Sequence, residues 1–162
     1  MLLNFSGMNR LEKCYSLLFA FSLLAGIAYG LFDNDYFKCC EGSIGVPEEG
    51  TSVLRIFSGN YLLSLSEFFT VGLSSIYFNF HTLSVTSSYL NSTGSLVTLP
   101  IILFIAFFEL CGSLLIALSG LSILERLFGA QSKLKPKELF VYGTALVFVG
   151  AIVEYLILAA FA

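Results

Sequence analysis

The sequence predicts an all-α fold, a polytopic bundle of transmembrane helices with about five membrane segments, one of them short or broken. Three observations lead there. Of 162 residues, 57% are hydrophobic and only 12% charged, and the mean hydropathy is +0.88, whereas a soluble domain of this length needs a charged surface. The apolar residues gather into stretches close to the ~20 residues a helix needs to cross the hydrocarbon core. Basic residues concentrate in two places, ahead of the first stretch and behind the one at 99–124.

The elements follow in order. Residues 1–13 alternate apolar and polar side chains and read as a short interfacial segment. Residues 14–32 carry no charge, follow Arg10 and Lys13 and stop at Asp33, which makes them the first crossing. A basic start and the Ala28-Tyr29-Gly30 ending superficially match a cleavable leader, but this apolar run is longer than a typical leader core. Residues 33–55 form an outer loop in which Asp33, Asp35, Glu41, Glu48 and Glu49 outnumber Lys38 and Arg55. A second apolar stretch at 56–80, interrupted by Asn60 and Glu67, has the length of one crossing. The stretches at 99–124 and 139–161 are the most strongly apolar, and each contains one glutamate. Residues 125–138 form a basic link holding Arg126, Lys133, Lys135 and Lys137.

The segment at 81–98 is rich in Ser and Thr and scores as a loop on hydropathy alone. Charge argues for more. Both basic regions belong on the cytoplasmic side, and four crossings would put them on opposite sides. One further crossing, or a broken re-entrant pair within 79–98, brings them together. The whole chain then reads as one integral membrane domain in the cell membrane, with its N terminus cytoplasmic and its C terminus at the outer face.

The glutamates carry the most chemical information. Glu67, Glu109 and Glu154 lie within apolar stretches that hold no Lys or Arg. An ionised carboxylate at mid-bilayer costs about 2.5–3.5 kcal/mol on insertion scales, so such a residue faces a partner, a protein interior or water. Together with Asn60, Asn79 and His81 these three are the candidate intramembrane polar residues. They support two readings: a hydrogen-bonded clamp between helices, or a proton or cation path. Gly26 and Gly30, four apart, and Gly112 and Gly120 mark candidate close helix contacts, within one chain or between two.

Other chemistry is weakly represented. Cys14 and Cys111 belong to apolar stretches, and Cys39 and Cys40 are adjacent in the outer loop. No Cys-x-x-Cys or His-rich spacing accompanies them, so no metal or cofactor is expected. Free thiols are the simplest reading, with an intersubunit bridge at Cys39 or Cys40 as the alternative. Asn4-Phe5-Ser6 and Asn91-Ser92-Thr93 match the N-glycosylation triplet, and only Asn91 falls near the outer face. Eight basic residues against eleven acidic ones offer no nucleic-acid surface. No nucleophile with a base at recognisable spacing points to an enzyme.

The order of Asn60 through Gly72, then Asn79, then Phe108-Glu109-Leu110 followed by Gly120, and finally Ala151-Ile152-Val153-Glu154 resembles the stage II sporulation protein M family of integral membrane proteins. The resemblance covers about two thirds of the chain, from roughly residue 57 onward. Phe80 stands where that family usually has Gly, and Ala106-Phe107 where it usually has His-Gly. The resemblance implies five or six helices with Asn60, Asn79, Glu109 and Glu154 in the interior, and a place in a membrane complex. The expected function is thus a non-enzymatic scaffold or complex subunit, homodimeric or joined to other membrane subunits in the lipid bilayer. The alternative is a small transporter or channel subunit.

Overall fold

Asn9 fixes where the first helix starts. Its side chain accepts the Glu12 N–H at 3.0 Å while its own N–H donates to Glu12 Oε2 at 2.8 Å, a capping box that satisfies two orphan donors at once. In the computed structural model, which describes residues 8–33, 35, 36, 38, 52–95, 99–129 and 132–161, this box opens α1 (Arg10–Phe32). Residues 10–13 therefore belong to the first helix rather than to a separate interfacial segment; residues 1–7 lie outside the described residues, as does most of the outer loop with Cys39 and Cys40. The remaining elements are α2 (Val53–Phe69), α3 (Leu73–Ser92), α4 (Leu99–Leu127) and α5 (Pro136–Phe161). Pro136 suits the first position of α5, where its missing N–H has no intrahelical partner to lose.

The stretch at 56–80 is not one crossing. The chain reverses at residues 70–72, where Gly72 N–H reaches back to the Glu67 carbonyl at 2.6 Å and Val71 N–H to that of Phe68 at 3.3 Å. These are the paired bonds of a Schellman ending. Val71 occupies the left-handed position at φ 55 and Gly72 follows at φ 80, so two successive positive φ values turn the chain round. A further helix thus begins at Leu73 and runs through the Ser- and Thr-rich segment to Ser92, where the charges predict a further crossing or a re-entrant pair.

Side-chain pairings give the helix directions. Tyr15 meets Ser75 at 2.6 Å, Gly26 backs onto Phe80, and Asn91 donates to the Leu31 carbonyl at 2.9 Å, so α1 and α3 run in the same sense. Asn60 bonds Glu109, Ser64 lies 3.0 Å from Ser113, and Gly120 backs onto Phe68, so α2 and α4 also share a sense. Gly112 faces Gly143 while Ser119 donates to the Pro136 carbonyl at 2.8 Å, which makes α5 antiparallel to α4. The Asn9 amide donates to Glu125 Oε2 at 2.8 Å, placing the start of α1 at the end of α4. The five helices therefore alternate in direction along the chain.

The four packing glycines serve contacts within the chain: Gly26 and Gly30 against α3, Gly112 against α5, and Gly120 against α2. The central core gathers Tyr15, Phe19, Leu115, Ala117, Leu118, Leu121 and Leu139. Outward, the picture is apolar. Leu17, Leu18, Phe21 and Leu24 on α1 are 53–68% exposed, and Phe104, Phe107, Val141, Phe148 and Leu156 continue the belt on α4 and α5. Exposed apolar surface on this scale marks contact with something other than water. Three helices, over Arg10–Phe32, Ile102–Leu127 and Pro136–Ile157, are long and apolar enough to cross a membrane, and lipid is the solvent that fits.

Candidate functional site

Asn60, Ser64 and Glu67 stand at i, i+4 and i+7 on α2, one face of a helix, and Ala106, Glu109, Leu110 and Ser113 form the matching face of α4. Because α3 leaves the 70–72 turn to pack on α1, it diverges from α2 and adds Phe78, Asn79, Thr82 and Leu83 as a third wall. With Leu63 of α2, these side chains line a cavity of about 160 Å³. Four of the six candidate polar residues, Asn60, Glu67, Asn79 and Glu109, line it together.

The cavity has a bonded side and an unbonded one. Asn60 Nδ2 donates to Glu109 Oε1 across α2 and α4. Glu154 on α5 lies close enough to interact with both the Asn60 amide and the Glu109 carboxylate, so three helices meet at this point. Gly150 makes room for it: a Cβ there would run into the Glu109 side chain, whose Cδ would be 3.3 Å away. Ser64 Oγ lies 2.9 Å from the Asn60 carbonyl and 3.0 Å from Ser113, and Ser113 also bonds Glu67. On the other side, Glu67 Oε2 and Asn79 Nδ2 are buried without a hydrogen-bond partner among the described residues.

His81 does not join this group. Its Nδ1 lies 3.1 Å from the Tyr36 hydroxyl, and its ring stacks on Tyr77 with centroids 5.8 Å apart. The glutamates converge, but the histidine expected near them faces a different neighbourhood, because the turn at 70–72 assigns it to α3 rather than to the end of α2.

A second polar cluster was not anticipated. Glu12, fully buried, accepts from Ser132 at 2.6 Å, Glu125 accepts from Asn9, and Arg126 donates to the Leu134 carbonyl at 2.5 Å. This ties the start of α1 to both ends of the α4–α5 link. The sequence signal was the Asn9-x-x-Glu12 spacing of a capping box. Between the two clusters, Leu115, Ile116, Ala117 and Leu118 on α4 are no more than 2% exposed. Outside the spans, Lys135 at the same end is held cationic above the ordinary lysine range by its hydrogen bond and ion pair with Glu138, 2.8 Å away.

Alternating helices, an apolar outer belt and polar residues turned inward define the class: a helical membrane protein of a single bundle. No protein-family description, curated protein or solved structure matches the chain.

Proposed function

We propose that this protein is a non-enzymatic, multi-pass scaffold or subunit of a membrane complex, of the kind its resemblance to the stage II sporulation protein M family implies. The observation that carries the reading is the junction where the Asn60 amide of α2 donates to the Glu109 carboxylate of α4 and reaches Glu154 of α5. Interhelical hydrogen bonds of this kind hold bundles together where lipid supplies no hydrophobic drive between helices. The apolar run at 114–118 of α4 separates the two clusters and supports a closed bundle over a conduit, with Ser119 and Ser122 beyond it bonded to the Pro136 carbonyl and to Ser132 in the α4–α5 link. The protein sits in the cell membrane with its N terminus in the cytoplasm and pairs with a second copy or with other membrane subunits.

Purification from the native membrane in mild detergent, followed by sizing and identification of companions, tests this. A reproducible membrane partner or a stable dimer is the expected result. A lone monomer that carries protons or cations into liposomes, with flux abolished by Glu109→Ala, would overturn the scaffold and favour the transporter.

A further inference from the structure

Glu67 and Asn79, at 3% and 6% exposed, are buried polar side chains lining the α2–α3–α4 cavity beside Ser64, and each has one buried polar atom, Oε2 and Nδ2, without a hydrogen-bond partner among the described residues. Buried polar groups are satisfied in the great majority of native interiors, so two unsatisfied ones on side chains that line a single cavity point to a bound species. We propose that this cavity binds a partly hydrated monovalent cation, of the alkali-metal or ammonium class, held chiefly by the Glu67 carboxylate.

Charge is the first argument. Glu67 and Glu109 both line the cavity and Glu154 adjoins Glu109, yet residues 56–125 contain no Lys or Arg to balance them. A cation supplies the missing counter-charge at a depth where an uncompensated carboxylate is unfavourable. The donor set is the second argument. Carboxylates, amides and the hydroxyls of Ser64, Thr82 and Ser113 are hard oxygen ligands, and neither Cys111 nor His81 lines the cavity, so soft and borderline transition metals are disfavoured. Calcium would demand six to eight oxygens, while Glu109 Oε1 is already engaged by Asn60.

Size is the third argument. A volume of about 160 Å³ has room for a few waters, which suits an ion with part of its shell and falls below the ~300 Å³ of typical organic-ligand pockets. The Asn79 N–H cannot coordinate a cation directly, but it donates to a water of the shell. That is why the ion is proposed partly hydrated rather than bare.

Binding is independent of the scaffold reading, because a resident ion stabilises a bundle with or without transport. The full-length protein in detergent is titrated calorimetrically with NaCl, KCl and NH4Cl against N-methylglucamine chloride at matched ionic strength, and its Tm is followed in the same salts. Saturable binding of one small cation per chain and a raised Tm are expected. Glu67→Gln, which keeps the shape and removes the charge, is expected to weaken binding by about tenfold or more, the effect of losing one substantial contact. Glu12→Gln, in the other cluster, is expected to leave the affinity unchanged. Identical behaviour in all four salts, or a Glu67→Gln protein that binds as tightly as the parent, overturns the proposal and leaves the cavity to neutral water. Should Glu67→Gln fail to fold, Asn79→Ala decides: several-fold weaker binding supports the site, and an unchanged affinity overturns it.

Discussion

Glu109 shows what one carboxylate requires of its neighbours in this bundle. It needs the Asn60 amide as a donor, and it needs Gly150 because any Cβ at that position would occupy its space. Replacing only one member of the pair leaves the other buried and unpaired, which costs about 1–3 kcal/mol, whereas replacing both by apolar residues of similar shape is nearly neutral. Asn60→Leu and Glu109→Leu are therefore each expected to lower stability by an amount in that range, and the double variant to recover part of the loss. Equilibrium unfolding in mixed micelles measures the cycle. Measured interhelical couplings in lipid average about 0.6 kcal/mol with values up to about 1.7, so strict additivity of the two single changes would remove the clamp. Neither Asn60 nor Glu109 announces its partner in the sequence; only the shared sense of α2 and α4 brings residues 49 positions apart into contact.

At the scale of elements, the informative pair is α1 and α3. Gly30 lies against α3 so closely that a Cβ would come within 2.8 Å of both Ser87 Cβ and Ser88 N, whereas a Cβ on Gly59 of α2 would meet nothing within 4 Å. Gly-to-Ala in a helix interior is favourable by about 1 kcal/mol on propensity alone, so the two sites share that gain and differ in the neighbour. Gly59→Ala is expected to be neutral or stabilising. Gly30→Ala is expected to destabilise by about 1–3 kcal/mol, the usual range for overpacking, as read by thermal denaturation. Equal effects at both sites would mean that α1 and α3 do not touch as described. The same pair explains what the sequence did and did not reveal. α1, α4 and α5 were legible because long apolar runs have no other use, and the structure adds only a few residues at one end of each. α3 was hidden because its face is made of serines, and hydropathy counts a serine as polar. In the helix Ser84 Oγ donates to the Phe80 carbonyl at 2.7 Å and Ser75 to that of Gly72 at 2.7 Å, so these hydroxyls are satisfied locally and behave as small packing residues beside Gly26 and Gly30. The reversal at 70–72 was hidden for a different reason: its left-handed position is filled by Val71, a β-branched residue that no turn preference selects, and the surrounding contacts hold it there.

For the molecule as a whole, the two basic regions set the expected orientation. Arg10 and Lys13 lie in the first turn of α1, Arg126 in the last turn of α4, and Lys133, Lys135 and Lys137 surround the start of α5; the bonds from Asn9 to Glu125 and from Ser132 to Glu12 hold all of them at one end of the bundle. The opposite end holds Asp33, Asp35 and the start of α2. On the positive-inside rule, the end with six of the eight Lys and Arg, against Lys38 and Arg55 at the other, is expected to face the cytoplasm. Because the five described helices alternate in direction, the start of α1 and the end of α5 lie at opposite ends of the bundle, an outcome that four crossings could not give. A reporter fused after Ala162 is expected to read as outer-facing, and one inserted at Gly129, in the basic link, as cytoplasmic. Two readings on the same side of the membrane would mean that α5, the one described helix between the two sites, does not cross.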